Sequence, residues 1–261
     1  MNSVGSLTVA PYSTGTMSVG PSSGSTLNLT TVLLADLNGA SYVFGSTSAG
    51  NLTVNTTYDF GDHNVTFISG GNILLSGTLT KQSGTATVNY IFEAYGDITN
   101  SGSAGITAFT GTSPLVPHGA INVTLQSNFD GETVNGGAVK LTGGTIATNG
   151  GNITIGGGTT TPTVAVLNAD GSIATAATGF ALGDAANPAG VILTGTLDAT
   201  GASAGGNIII NGMGANATTD ANNGVLLNGG TVTTDHAGTI DINGVGQGNG
   251  ASTQDAGVDY Q

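Results

Sequence analysis

The chain has 261 residues and a formal net charge of −13, from 15 acidic residues against two lysines and no arginine. Only 7% of its residues are charged and 46 are glycine, whereas charged residues make up about 25% of an ordinary soluble domain. Two cations give no phosphate-neutralising surface, which argues against nucleic acid and anionic membrane as partners. The absence of cysteine excludes disulfides, thiolate metal sites and a cysteine nucleophile.

Glycine-rich composition raises the question of disorder, and apolar alternation answers it. Gly50-Asn51-Leu52-Thr53-Val54, Asn152-Ile153-Thr154-Ile155 and Thr239-Ile240-Asp241-Ile242 are apolar at every second position. Period two places one side-chain set inside and the other outside, and a disordered chain has no reason to keep that parity. Helix has little support, because Thr, Val, Ile, Gly and Asn are poor helix formers. No apolar run exceeds about four residues, Val32 to Ala35 and Val164 to Leu167 being the longest, far short of the roughly 20 that span a bilayer as a helix.

In chain order, residues 1–49 read as an irregular β part, a cap or an assembly segment. Met1 to Thr30 has no basic start and no continuous apolar stretch, so it does not read as a signal peptide. From residue 50 onward two motifs recur. The first is a glycine, a polar residue and a short alternating strand: Gly50-Asn51-Leu52, Gly71-Asn72-Ile73, Gly151-Asn152-Ile153, Gly206-Asn207-Ile208 and Gly238-Thr239-Ile240, with Ala120-Ile121-Asn122-Val123 a looser copy. The second is Ala138-Val139-Lys140-Leu141, Gly190-Val191-Ile192-Leu193 and Gly224-Val225-Leu226-Leu227, each followed by a Thr-rich strand. Breaks are expected at Ala108 to Gly119 and Gly156 to Pro162, and Ile173 to Ala186 reads as a loop or insertion. Gly257-Val258-Asp259-Tyr260-Gln261 resembles the opening of another coil, so residues 50–261 are expected to form coils that continue beyond the C-terminus in a longer protein.

These features predict an all-β chain folded as a single-stranded parallel β-helix (a β-solenoid), right-handed, with loop insertions. One short strand cannot bury its own face, and stacking copies about 4.8 Å apart pairs every backbone group. The second motif recurs at unequal intervals, from Val139 to Val191 and from Val191 to Val225. Read as about three and two turns, these suggest coils of roughly 17 residues, about 12 to 15 of them, and a rod on the order of 60 Å long. Eight Asn-Gly steps, at Asn38, Asn135, Asn149, Asn211, Asn223, Asn228, Asn243 and Asn249, suggest corners that need φ > 0. Asn at one place in successive coils would stack as a side-chain ladder. Eleven of the thirteen Phe and Tyr fall at or before Phe129, which predicts a bulkier core in the first half.

The run Gly224-Val225-Leu226-Leu227-Asn228-Gly229-Gly230-Thr231-Val232-Thr233-Thr234, followed by Gly238-Thr239-Ile240-Asp241-Ile242, resembles the repeats of filamentous-haemagglutinin-like bacterial adhesins. The resemblance covers about residues 50 to 261 and lies in composition and rhythm. It implies a secreted, right-handed β-helix at a cell surface that works in adhesion, surface coating or filament formation. That family's N-terminal secretion domain has no copy here, and the family supplies no catalytic residues to transfer.

Candidate sites are sparse. Asp59-Phe60-Gly61-Asp62-His63 is the densest acidic cluster and reads better as a solvated turn than as a catalytic or cation site. Asp130, Asp170, Asp184 and Asp220 sit beside turn residues, where calcium binding would be incidental. His63, His118 and His236 share no ligand spacing. Lys81 and Lys140 read as surface lysines. Thr-rich strands at Thr145 to Thr148, Thr231 to Thr234 and Thr85 to Thr87 raise an ice-binding reading, but variable coil length is expected to leave most Thr positions unmatched. No catalytic, cofactor or metal residue is therefore assigned and no cofactor is expected. The expectation is a non-enzymatic, extracellular structural or adhesive protein that associates with itself or with glycans or proteins of a host or neighbouring cell surface, without nucleic acid or membrane insertion. The alternative is a carbohydrate-active β-helix enzyme or a phage tailspike fragment.

Overall fold

The structure is a computed structural model. It describes residues 5–21, 24–108, 118–131, 136–158, 166–167, 173–175, 179–217, 221–248 and 255–261. The chain is 45% strand and 2% helix, and its sheets are parallel except for a two-stranded antiparallel pair, Val166–Leu167 with Ile173–Thr175. The all-β class is thus as expected. Ile173 to Ala186 departs from the loop expectation, since Ala181–Leu182 is also a strand.

Three parallel sheets take the strands in rotation. Asn64–Ser69 lies in a first sheet, Ile73–Leu75 in a second and Leu79–Lys81 in a third, and Val88–Ala94 then returns to the first. Each pass lays its strand beside the previous one. Phe44 pairs with Phe67 and Phe67 with Phe92. The passes differ in length: Ile73 pairs with Ile98, whereas Val139 pairs with Val191 only after a far longer stretch of chain. Each interval of the second motif is therefore a single pass, not a multiple of a shorter coil, because Val139, Val191 and Val225 are successive partners. Connections outside the strands absorb the variation in length. The first sheet stacks eight strands, from Ser6–Val9 to Ile240–Val245, with Ala181–Leu182 alongside. At about 4.8 Å per strand that is roughly 35 Å of stack, shorter than expected.

Strand alternation turns the register into vertical core columns. Tyr42, Val65, Tyr90, Val123, Ile153, Ile208 and Ile240 form one in the first sheet. Phe44, Phe67, Phe92, Leu125, Ile155, Ile210 and Ile242 form the next. The aromatic excess of the first half is thus a stack within one core, with Phe67 and Phe92 stacked at 4.7 Å and Phe44 and Phe67 at 5.6 Å.

The segment ahead of Gly50 takes part in the same sheets. Ser6–Val9 pairs with Ser41–Ser46, and Met17–Val19 pairs with Leu52–Val54. The apolar run at Val32 falls in the short helix Thr31–Ala35, whose N-terminus is capped by the Thr30 hydroxyl accepting from Leu33 N–H. Leu34 of that turn is buried in the common core.

The glycine–asparagine motif has a physical reason on both counts. In the first sheet the Asn64 side-chain carbonyl accepts from Asn89 N–H, Asn122 from Asn152 N–H, Asn152 from Asn207 N–H and Asn207 from Thr239 N–H, at 2.8–3.0 Å. The Asn122 amide completes the column by donating to the Asn89 side-chain oxygen. In the second sheet Asn51 accepts from Asn72 N–H, Asn72 from Asp97 N–H, and Asp97 from Ala138 N–H. One sequence motif therefore serves two separate ladders. Its glycine is required because the adjoining strand's backbone occupies the space of a side chain: a Cβ on Gly206 would collide with Gly151 O, and one on Gly151 with Ile121 O. Gly206→Ala is expected to lower stability by about 1–3 kcal/mol, as overpacking does. A thermal melt that coincides with the parent's would refute this.

Six of the eight Asn-Gly steps split into two groups, and Asn249-Gly250 lies outside the described residues. Gly136, Gly150 and Gly229 have positive φ, as a sharp corner needs. Gly212, Gly224 and Gly244 do not; they are glycine because a neighbouring backbone lies too close for a Cβ. Close packing between passes, as much as turn geometry, accounts for the glycine content.

Candidate functional site

The acidic cluster is a turn organised around a buried lysine. Asp59 Oδ1 accepts from Gly61 N–H at 2.9 Å, closing a local turn. Lys81 is not the surface lysine expected. Leu79 points inward, and two residues on the same strand share a face, so Lys81 points inward too and its side chain is fully buried. Its ammonium donates to Asp62 Oδ1 at 2.8 Å, Ser83 O at 2.8 Å and Gly61 O at 3.1 Å. Three donors meet three acceptors. Asp62 also accepts from Thr85 N–H and Ala86 N–H. The hydrogen bond from Lys81, ahead of those backbone bonds, holds its carboxyl below the usual carboxylate range. Asp62 is thus committed to the Lys81 ammonium and two loop amides. His63 lies against Tyr42, with its Nδ1 3.3 Å from Ala40 O.

The other predicted positions are scattered. Asp184 Oδ1 accepts from Ala186 and Asn187 N–H within its own turn. Asp130 is exposed. Asp170 and Asp220 lie outside the described residues. His236 pairs with Asp235 at 3.1 Å, and His118 is on a different pass. Lys140 faces outward on the second sheet and is half-buried. Among the described residues no group of three or more His, Cys, Asp or Glu could hold a metal ion.

Asp97 is a latch that sequence reasoning missed. Its Oδ1 accepts from Ala138 N–H and its Oδ2 from the Asn187 amide, both at 2.8 Å, tying together residues 90 positions apart. Burial pushes this carboxyl above its usual range. Asn100 does similar work inside the second sheet. Its amide donates to Ala104 O and Gly143 O, and its oxygen accepts from Thr142 N–H, all at 2.7–2.8 Å. The cavity between the second and third sheets, lined by Leu75, Ile98, Ile106, Leu141 and Ile146, holds about 10 Å³. That is room for no more than a single water, so it is a packing gap and not a ligand pocket.

What the register does assemble is an outer face on the third sheet. Thr145, Thr196 and Thr231 are successive partners in one outward column. Gly105, the residue ahead of Ile106, does not extend it, because it is buried and a Cβ there would collide with Thr145 O. Asp59, Thr80, Thr107, Ala147, Asp198 and Thr233 form the second column, in which Ala147 is buried. The expectation that most Thr positions would be unmatched is met in part: Thr145 and Thr231 share a column through Thr196, whereas Thr233 pairs with Asp198, Thr148 is buried, and Thr85, Thr87 and Thr234 lie outside the strands. No protein-family model, no curated protein and no solved structure matches the chain.

Proposed function

We propose that the three sheets are the faces of a right-handed, single-stranded β-solenoid, and that the chain serves as an extracellular structural or adhesive surface element, a stalk or filament-forming segment that works in adhesion or self-association. The parallel pairing and the rotation of strands through three sheets support the winding. The right-handed winding is the sense that parallel crossovers overwhelmingly take.

The observation that carries the reading is the unbroken stack of parallel strands. The first sheet pairs eight strands in succession, and Tyr42, Val65, Tyr90, Val123, Ile153 and Ile208 bury one inward column along it. Backbone ladders continuous with an apolar core suit a mechanical, extending element. The resemblance to filamentous-haemagglutinin-like adhesins points to the same class of work, with glycans or proteins of another cell surface as further partners.

The test is negative-stain electron microscopy of the chain over a concentration series, with and without a calcium chelator. Filaments or stacked rods that increase with concentration and survive the chelator support the reading. Isolated short particles at every concentration overturn the self-association.

A further inference from the structure

We propose that Tyr95, Phe129, Glu93 and Gln126, on the outer face of the first sheet, form a binding site for a neutral saccharide. The inference rests on the adhesive reading above and gives it a partner and a place.

Two adjacent strands build the site. Val88–Ala94 and Ile121–Ser127 pair in parallel, with Glu93 opposite Gln126. Both face outward, since Phe92 and Leu125 before them and Ala94 and Ser127 after them are buried. Tyr95 follows Ala94 and keeps the outward parity, about 6.6 Å along the strand from Glu93. On the neighbouring strand parity alone would put Asn128 beside it. Asn128 instead has a φ of 51° and is buried, and Phe129 N–H donates to Ala94 O at 2.9 Å. One extra residue in the left-handed region thus brings Phe129 next to Tyr95, as a bulge re-aims a side chain. The two rings stack with centroids 6.4 Å apart and 26° between their planes.

This ring pair differs from the others. Every other ring contact among the described residues has a member in the apolar core, whereas neither Tyr95 nor Phe129 belongs to that core or packs against it. Core formation therefore does not account for the pair. The polar neighbours are uncommitted as well. Among the described residues the Glu93 carboxylate, the Gln126 amide and the Tyr95 hydroxyl have no hydrogen-bond partner, and none of these atoms is sealed from solvent. Burial raises the Glu93 carboxyl above its usual range, with no donor to lower it. By contrast, the outward Asn64, Asn89 and Asn122 of the same strands are engaged in their ladder.

The mixture of groups decides the occupant. Tyr and Phe offer apolar ring surface, and Tyr adds a polar tip. Glu93 supplies acceptors only, Gln126 both donors and an acceptor, and the Tyr95 hydroxyl both roles. A sugar pairs an apolar C–H face with hydroxyls that donate and accept, so it can use every one of these groups. An alkylammonium ion would use the acceptors and leave the amide donors idle. An anion would meet Glu93 and a net charge of −13, with Lys81 in the core and Lys140 on the second sheet. A wholly apolar partner would strand the carboxylate.

The test presents the full chain to an array of neutral oligosaccharides of glucose, galactose and mannose, beside sialylated and sulfated ones. Each sugar bound is then titrated and taken to saturation-transfer NMR with the protein's aromatic protons irradiated. Three variants accompany the parent: Tyr95→Ala and Glu93→Ala in the patch, and Tyr12→Ala at a tyrosine that is 97% exposed elsewhere. Circular dichroism checks each for parental strand content, and Glu93→Ala carries the test if Tyr95→Ala does not fold. The expected result is a neutral sugar bound by the parent and Tyr12→Ala, transfer to its ring C–H protons, and at least a tenfold loss of affinity in both patch variants. Binding of charged glycans alone overturns the proposal, as does an equal loss in Tyr12→Ala. Parental affinity in a folded patch variant overturns this site and leaves the adhesive reading standing. A parent that binds no glycan yet forms filaments overturns the site and leaves self-association standing, and one that does neither overturns both.

Discussion

Asp62→Ala is expected to destabilise the chain by about 3 kcal/mol, the low end of the range for stranding a buried charge. Lys81 is wholly buried while the Asp62 side chain is 43% exposed, so water reaching the cavity left by Asp62 softens the loss. Lys81→Met should cost far less, because removing the charge also removes its desolvation. The double variant should then match Lys81→Met, since nothing is left to pair. Urea titration of the four proteins measures the coupling. If Asp62→Ala costs no more than Lys81→Met, the carbonyls of Gly61 and Ser83 suffice and the ion pair is incidental. The same pair sets an acid response. Asp62 is held below the usual carboxylate range by its hydrogen bond from Lys81. Its contribution is therefore complete above that range and is lost as pH falls through the lowered value of the folded state. Asp62→Asn should lack that part of the acid loss.

The second large effect is Phe67→Ala, expected to cost about 3–5 kcal/mol, as truncating a buried aromatic does. Phe67 has no exposed surface and lies between Phe44 and Phe92, with centroids at 5.6 and 4.7 Å. A cavity there faces rigid neighbours above, below and across the core, so little can collapse into it. In a stacked array each pass contacts chiefly its neighbours. Hydrogen exchange should thus accelerate around residues 41–100 well before the amides of Ile208–Met213 respond. Uniform acceleration along the chain would show that the passes unfold as one unit instead.

The sequence carried the strand class and the inward positions plainly. Alternation in Asn152-Ile153-Thr154-Ile155 and Val191-Ile192-Leu193 is a local property, readable without knowing any partner. The second motif marked residues that share a column, Val139, Val191 and Val225, although its intervals read as several turns each where the structure has single passes. Even Lys81 was legible in principle, because parity with Leu79 sends it inward, although its charge suggested the surface. Pass length was not legible. It depends on which residues leave the ladder, and those connections follow no period.

What only the tertiary structure decided is which strands lie side by side. Gly71-Asn72-Ile73 and Gly151-Asn152-Ile153 look alike yet belong to different sheets, because so short a strand carries too little information to name its sheet. Asp97 and Asn187 meet across 90 residues, and the third-sheet threonines align across passes of unequal length. Alternation fixes which face a residue takes, since that follows from the backbone of one strand. Register fixes its neighbours, and register comes from the summed backbone pairing and core packing of every pass at once.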